Sequence, residues 1–349
     1  MSRRSQPKIP SQRKANERLR ARLDKYVGLI DDVFDTLNME AARLALSAVQ
    51  DDAKPFRWKD YPQTRDGIKK VQQAFVDELE VTITNAETTE WHNSNEAQSL
   101  IADGALKAYK AEVRGKKYEK YYQENEDALE AFKQRKGRGM RLSKKLWNLS
   151  ETYKGWLEAT ISAGIERGMA ATTLSKRLSR YLHDFPSIQR DYKELYGKAA
   201  AIVDCEYRSA RLARTEINMA YRAAENARWR QMDFIVGYEV KTTQSGRHEE
   251  DICDTLAGKY PVDFEFVGWH PNCMCYKIPI MKTDEEFWDG GNVRSVNTVD
   301  DVPIEFTDWV ESNREYIKST KSTPYFIRDN KDVIEDILGE KIKIRYGNG

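Results

Sequence analysis

The spacing of hydrophobic residues changes from helical to strand-like after about residue 232, and no other feature constrains the fold as much. Up to that point hydrophobic residues recur at steps of three and four, as in EYRSARLARTEINMAYRAAENARWRQM (206–232), a spacing that predicts amphipathic helices. After it, FIVGYEVKTT (234–243) and YKIPIM (276–281) have the composition of strands. The sequence therefore predicts an α+β fold, in which a mostly helical N-terminal half precedes a small α+β domain with a Cys/His loop.

The same periodicity predicts the other elements. In the N-terminal half, predicted helices cover 14–49, 67–112 (with an interruption near HNSNEAQ, 92–98), 117–135 and two stretches within 143–185. After the last strand come an extended connector (284–303) and amphipathic helices within 305–318 and 323–342.

These elements group into four predicted regions. They are a basic N-terminal arm with a helical region (1–140), a second helical region (141–204), the α+β domain (205–282) and a C-terminal helical tail (283–349). We expect the tail to pack on the α+β domain or on a neighbouring chain.

The helix predicted over 206–232 has two distinct faces. One is a seam of small residues that lets a partner element approach closely; it contains Ala210, Ala213, Ile217, Ala220, Ala224 and Ala227. The other carries Arg211, Arg214, Asn218, Tyr221 and Glu225. If this second face is buried, its charges must be paired. If it is exposed, it carries ordinary surface ion pairs, and the sequence leaves both readings open.

Positive charge is concentrated in two segments, although the whole chain has a net charge of only +1. Residues 1–26 contain nine Lys or Arg residues against Glu17 and Asp24, and a second basic run covers 133–145. Such segments suit nucleic acid or an acidic protein surface. A disordered arm and a solvated linker are the alternative. No window approaches the roughly 18 apolar residues of a membrane span, and the N-terminus has no secretory signal pattern.

Cysteine and histidine are scarce, with four of each, and they are clustered. His248, Cys253, His270, Cys273 and Cys275 all lie within 28 residues of one another, by the numbering 248–275. Structural zinc takes four Cys or His ligands from two short segments, so the candidate set is Cys253, His270, Cys273 and Cys275. A standard first segment would be Cys-x-x-Cys, but Glu250 stands three residues before Cys253.

Two other readings of this cluster are open. In one, Trp269, His270 and Pro271 pack against Leu256 and Pro261, and the cysteines are small buried residues. In the other, a cysteine beside His270 is a nucleophile, which would require an exposed, electropositive pocket and an oriented base. The absence of a secreted disulfide pattern predicts reduced thiols. No glycine-rich phosphate-binding loop follows a strand.

Three segments in a fixed order resemble a known family. ARTEINMAYRAAENARW (213–229), DICDTLAGKYP (251–261) and GWHPNCMC (268–275) resemble the phage Mu protein F-like minor head proteins, which include the SPP1 type. The matched positions are Arg214, Thr215, Glu216, Asp251, Cys253, Leu256, Gly258, His270, Pro271, Asn272, Cys273 and Cys275. The chain departs from the pattern at Glu250 and at Met274, where relatives often carry Cys and Arg.

The resemblance implies a non-enzymatic phage minor head protein that acts in capsid assembly and head morphogenesis near the portal. It implies the portal protein and the major capsid or scaffold protein as partners, with packaged double-stranded DNA as a further contact. It also implies a location in the virion and, during assembly, in the bacterial host cytoplasm, with zinc as the candidate cofactor. The alternatives are an enzyme of ADP-ribosyltransferase-like or nuclease type that uses Arg214, Glu216 and the Cys/His loop, and a zinc-stabilised DNA-binding module.

Overall fold

The computed structural model describes residues 7–46, 58–135, 140–166, 205–243, 251–289 and 294–346. In the N-terminal half the helices are α1 (Gln12–Leu46), α2 (Pro62–Ala108), α3 (Glu126–Gln134) and α4 (Leu142–Glu166), with 3-10 turns at Trp58–Asp60 and Lys116–Tyr122. The remaining elements are α5 (Cys205–Gln231), β1 (Ile235–Lys241), α6 (Ile252–Thr255), β2 (Gly258–Tyr260), β3 (Tyr276–Met281), α7 (Asp284–Trp288), α8 (Ile304–Ser312), α9 (Arg314–Ser319), α10 (Tyr325–Asp329) and α11 (Lys331–Leu338).

The described residues form mostly helices and one small antiparallel sheet, which confirms the α+β class. The strand order is β2-β1-β3, and Tyr238 in the central strand pairs with Tyr260 on one side and Pro279 on the other. The predicted core residues Ile235, Tyr238 and Val240 of β1 are all buried. The change of periodicity therefore marks the real passage from helix to sheet.

The chain forms two compact units from interleaved segments. Unit 1 contains Met1–Asp24, Thr84–Gly139 and Arg214–Gly349, and unit 2 contains Lys25–Ile83 and Met140–Ala213. Helices α1, α2 and α5 each contribute one part to each unit. The predicted region boundaries at 140, 204 and 282 stay predictions.

Unit 2 is built around an aromatic cluster on three helices. Phe34 packs edge-on against Phe75, and Phe75 stacks on Tyr153 with ring centroids 5.1 Å apart. The Tyr153 hydroxyl donates to Asn38 Oδ1 over 2.8 Å, so this buried polar group is satisfied. Cys205 is also in this unit, where its thiol lies 3.5 Å from the Leu149 carbonyl oxygen.

Unit 1 has an aromatic core that joins the C-terminal tail to the sheet domain. Phe306 of α8 packs edge-on against Tyr260 of β2, with centroids 5.8 Å apart. Phe326 of α10 packs edge-on against Trp269, with centroids 5.5 Å apart. Edge-to-face aromatic pairs at these distances are favourable beyond the area they bury. The tail therefore packs on the α+β domain, and it covers the segment that leads into the Cys/His loop.

The predicted interruption of the second helix near 92–98 is wrong, because α2 continues through it. Two of its polar residues, Asn95 and Gln98, are buried and hydrogen-bonded to other elements. Asn95 Nδ2 donates to the Glu124 carbonyl oxygen over 3.1 Å, and Gln98 Oε1 accepts from Trp229 Nε1 over 2.6 Å. Tertiary hydrogen bonds thus outweigh the low intrinsic helix propensity of this stretch.

Two further predictions need correction. The connector predicted over 284–303 begins with helix α7, because Thr283 and Glu286 form a reciprocal capping box around its first turn. The segment 117–135 is a 3-10 turn followed by α3, since Asn125 adopts a left-handed conformation (φ 57°) between them.

The reading of the N-terminal basic segment as a disordered arm is wrong from Gln12 onward, where α1 begins. The second face of α5 is partly buried: Asn218, Tyr221 and Glu225 are buried, whereas Arg211 is exposed. None of the helices in the described ranges is long and apolar enough to cross a membrane. His248, Glu250 and the second of the two helices predicted within 143–185 lie outside the described residues.

Candidate metal centre

Cys253 is held at the start of the short helix α6 by a reciprocal cap. Asp251 Oδ1 accepts a hydrogen bond from the Cys253 amide over 2.6 Å, and Asp254 Oδ2 accepts from the Asp251 amide over 3.3 Å. The two acidic side chains satisfy amides that a helix start leaves without intrahelical partners. The cap therefore fixes the backbone that carries the Cys253 thiol, and this is the structural role of the predicted motif residue Asp251.

The loop His270–Cys275 turns tightly back on itself. The Cys273 amide donates to the His270 carbonyl oxygen over 3.0 Å, and Asn272 adopts a left-handed conformation with φ 65°. Gly268, at φ 130°, comes so close to the loop that an added Cβ would lie 3.1 Å from Cys273 Cβ. The turn brings the side chains of His270 and Cys273 close together, next to the side chain of Cys253.

Three of the four predicted ligands meet there. Cys253 Sγ lies 3.0 Å from His270 Nε2 and 3.7 Å from Cys273 Sγ. The three ligand atoms all lie within 4.8 Å of one another. Tetrahedral zinc with Zn–S bonds of about 2.3 Å requires sulfur atoms about 3.8 Å apart. The separation of the two thiols therefore fits a shared zinc ion.

The His270 ring is oriented for this purpose. Nδ1 lies 2.8 Å from the Pro271 carbonyl oxygen, which can only accept a hydrogen bond. Nδ1 therefore carries a proton, and Nε2 faces the Cys253 thiol at 3.0 Å. A backbone carbonyl that fixes the tautomer in this way is typical of histidines that bind metals.

Cys275 is the fourth predicted ligand. Its side chain is buried, and its thiol interacts with the thiols of both Cys253 and Cys273. It does not belong to the set of three ligand atoms within 4.8 Å of one another. The structure thus assembles Cys253, His270 and Cys273, with the Cys275 thiol and the Asp251 carboxylate, 3.7 Å from His270 Nε2, as further potential ligands.

The surroundings shift the pKa values of the three thiols in different directions. Hydrogen bonds from Cys253 and Cys275 lower the pKa of Cys273 well below its usual range, although burial acts in the opposite direction. Hydrogen bonds to Cys273 and Cys275, together with burial, raise the pKa of Cys253. These hydrogen bonds favour ionisation of Cys273 over ionisation of Cys253, and the thiolate is the form of cysteine that binds metal.

Three successive residues of the loop are held by side chains from helices. Thr215 Oγ1 accepts from the Asn272 amide over 3.1 Å, and Asn218 Nδ2 donates to the Cys273 carbonyl oxygen over 2.9 Å. Asn16 Nδ2 of α1 donates to the Met274 carbonyl oxygen over 3.2 Å. Thr215 was a predicted motif residue, whereas no sequence pattern pointed to Asn16, which lies 258 residues from its partner.

Of the remaining motif residues, Arg214, Glu216 and Gly258 have partners outside the cluster, and Pro271 supports the cluster through its backbone. Glu216 is buried and pairs with Arg135, and Arg214 pairs with Asp24 over 2.7 Å. Gly258 begins β2, where an added Cβ would lie 2.6 Å from Pro303 Cγ. Pro271 supplies the carbonyl that orients His270. Arg214 and Glu216 therefore do not form part of the thiol–imidazole group.

A second group of metal-ligand type consists of His92, Glu124 and Glu126. His92 Nδ1 lies 3.1 Å from Glu124 Oε2 and 3.8 Å from Glu126 Oε1. All three side chains are exposed, and exposed carboxylates are well solvated without an ion. The buried Cys/His cluster is the stronger candidate for a metal centre.

Comparisons with known proteins identify no relative: no family model, no curated protein and no solved structure gives a significant match.

Proposed function

We propose that this protein is a phage minor head protein of the Mu protein F-like kind, which acts in head morphogenesis near the portal, and that its Cys/His cluster is a structural zinc site. The observation that carries the proposal is the convergence of the three resembling segments. Thr215 and Asn218 of the first segment bind the backbone of Asn272 and Cys273 in the third. Cys253 of the second segment contacts His270 and Cys273.

The burial of the cluster supports a structural role over a catalytic one. Cys253 is 8% exposed and Cys273 is 3% exposed. A nucleophilic cysteine must be accessible to its substrate, whereas a structural ligand need not be. Cys273, whose pKa is lowered, is more deeply buried than Cys253. This arrangement favours a centre that holds loops together.

Zinc is the metal that this ligand set favours. Thiolate and imidazole ligands select soft or borderline ions, and structural zinc sites use sets such as Cys₃His. Cys253, His270, Cys273 and Cys275 would hold the ion, which would supply cross-linking free energy between α6 and the loop His270–Cys275. In small domains such binding free energy becomes folding free energy.

Head composition tests the proposed function. In heads purified from the phage or prophage that encodes this chain, mass spectrometry should detect the protein together with portal protein, in far fewer copies than the major capsid protein. Deletion of its gene should give misassembled or empty heads. Normal heads that lack the protein, or a deletion that leaves assembly and packaging intact, would contradict the proposal.

Complementation of the deletion with point variants separates the structural role from an enzymatic one. Cys273→Ser should fail to restore heads, whereas Cys205→Ser, a matched change at a buried cysteine in the other unit, should restore them. If Glu216→Gln abolished infectivity while heads stayed intact, an enzymatic function would be favoured instead.

DNA contact is tested separately on the purified protein. Exposed basic residues of α1, such as Lys14 and Arg18, would meet phosphates and would make affinity fall steeply with salt. Absent or salt-insensitive binding would remove DNA from the proposed partners and would exclude the DNA-binding module.

A further inference from the structure

The Asn16 side chain connects α1 to the Cys/His loop. It is buried, at 3% exposure, although the residues on either side of it in α1 are charged or small. Asn16 Nδ2 donates to the Met274 carbonyl oxygen over 3.2 Å, and Asn16 Oδ1 accepts from Arg222 Nη2 over 2.5 Å. Both ends of the amide are therefore engaged, which fixes its orientation.

The position of Met274 gives this contact its importance. Met274 lies between Cys273 and Cys275, so its peptide groups connect the two thiol-bearing residues. The neighbouring carbonyl, that of Cys273, is already held by Asn218. With the contact from Asn16, both carbonyls within the Cys-x-Cys segment are held by buried amides that lie on different helices.

Asn16 is itself carried by a firmly packed helix segment. Leu19 and Leu23 in the following turns are 0% and 1% exposed. Arg22 pairs with Glu90 through two hydrogen bonds of 2.7 Å, and the Glu90 side chain is fully buried. These contacts hold this part of α1 without help from the Cys/His loop. The Asn16 amide is therefore a fixed point against which the loop can be positioned.

We propose that Asn16 is a positioning residue for the metal centre: its donation to the Met274 carbonyl holds the Cys273–Cys275 segment in the metal-binding geometry. This inference rests on the proposed zinc site. Partners that orient metal ligands typically raise metal affinity about 10- to 100-fold. Because coupling between two equilibria is reciprocal, metal binding also strengthens the docking of the first turns of α1.

The test is metal affinity of the full chain and its variants. Cobalt(II) serves as the spectroscopic probe for the wild type, Asn16→Ala, Asn16→Asp and Leu23→Ala, and zinc affinity follows from competition. Asn16→Asp keeps an acceptor for Arg222 but removes the donor to Met274. Leu23→Ala removes a buried side chain of α1 and leaves the Asn16 amide in place. We expect about 10-fold or greater loss of affinity in both Asn16 variants and near-wild-type affinity in Leu23→Ala.

The outcomes separate the two proposals. A wild-type protein that binds neither cobalt nor zinc refutes the zinc site itself. If the wild type binds metal and the Asn16 variants bind it with unchanged affinity, only the positioning role is refuted. The positioning role is also refuted if Leu23→Ala loses as much metal affinity as the Asn16 variants.

A measurement on the wild type covers the case in which the Asn16 variants fail to fold. Zinc should slow amide hydrogen exchange in the first two turns of α1 as well as in the loop. Unchanged exchange in α1 on zinc binding would overturn the inference.

Discussion

The Asn272 amide donates a hydrogen bond to the Thr215 hydroxyl over 3.1 Å, and this bond ties the Cys/His loop to helix α5. Asn272 is also the residue of the loop with a left-handed backbone, at φ 65°. The hydroxyl therefore anchors the turn at its sharpest point. The bond uses the backbone amide of residue 272, whereas the left-handed φ is what favours asparagine at this position.

Replacement of Thr215 by valine keeps the shape of the side chain but removes the acceptor for the Asn272 amide. We expect the free energy of unfolding to fall by about 1–3 kcal/mol, the range for a partly buried donor left without its partner. Urea denaturation measures the change. Thr215→Ser keeps the hydroxyl and should lose much less; equal losses for valine and serine would show that the methyl group matters and the hydrogen bond does not.

Asn95 stabilises unit 1 by satisfying buried groups on two other elements. Its amide donates to the Glu124 carbonyl oxygen, and its Oδ1 accepts from Arg228 Nη1 over 3.1 Å, while Arg228 is 0% exposed. Asn95→Ala leaves a buried guanidinium short of one partner, so we expect a loss of about 2–4 kcal/mol.

Glu96→Ala is the control for Asn95→Ala, because Glu96 is exposed on the same helix. It should change the free energy of unfolding by less than about 0.5 kcal/mol. Similar losses in the two variants would show that helix propensity dominates over the buried hydrogen bonds.

Glu286 makes stability depend on pH in the acidic range. Burial alone would raise its pKa, but hydrogen bonds from the Val296 amide, the Ser295 hydroxyl and the Thr283 backbone lower the pKa from 4.5 to about 2. Since the folded pKa lies below the unfolded one, the stabilisation is present above pH 4.5 and is lost as the pH falls towards 2.

Glu286→Gln should therefore lower the free energy of unfolding at pH 7 by about 2 kcal/mol, and the difference from wild type should shrink at pH 3. Chemical denaturation at both pH values measures this. Glu315→Gln, at an exposed position on α9, should show no such gap. A Glu286→Gln deficit of the same size at pH 3 as at pH 7 would contradict the assignment.

The parts of the fold that sequence predicted are those with local signals. The alanine seam of α5 and the alternation in β1 are encoded within one element, so periodicity was sufficient for both. Cys253, His270 and Cys273 were found because scarce ligand types occurred close together. The continuity of α2 through Asn95 was missed, because it depends on bonds to Glu124 and Arg228 that no local pattern records.

The supports of the candidate site were less predictable than its ligands. Asn16 lies 258 residues from Met274, and an isolated asparagine in a basic helix carries no distinguishing signal. The sequence left open whether the second face of α5 is buried or exposed. The structure shows that Asn218 and Glu225 on this face are buried, which depends on residues far away in the chain that pack against it. Long-range polar contacts are set by the whole fold and cannot be inferred from spacing.

Zinc content of the purified full chain is the most direct test of the central claim that the Cys/His cluster is a structural metal site. Elemental analysis should give close to one zinc ion per chain for the wild type and for Cys205→Ser, and a large loss for Cys273→Ser. Chelation should lower the melting temperature of the wild type. A zinc content near zero in the wild type, or equal content in Cys205→Ser and Cys273→Ser, would contradict the account.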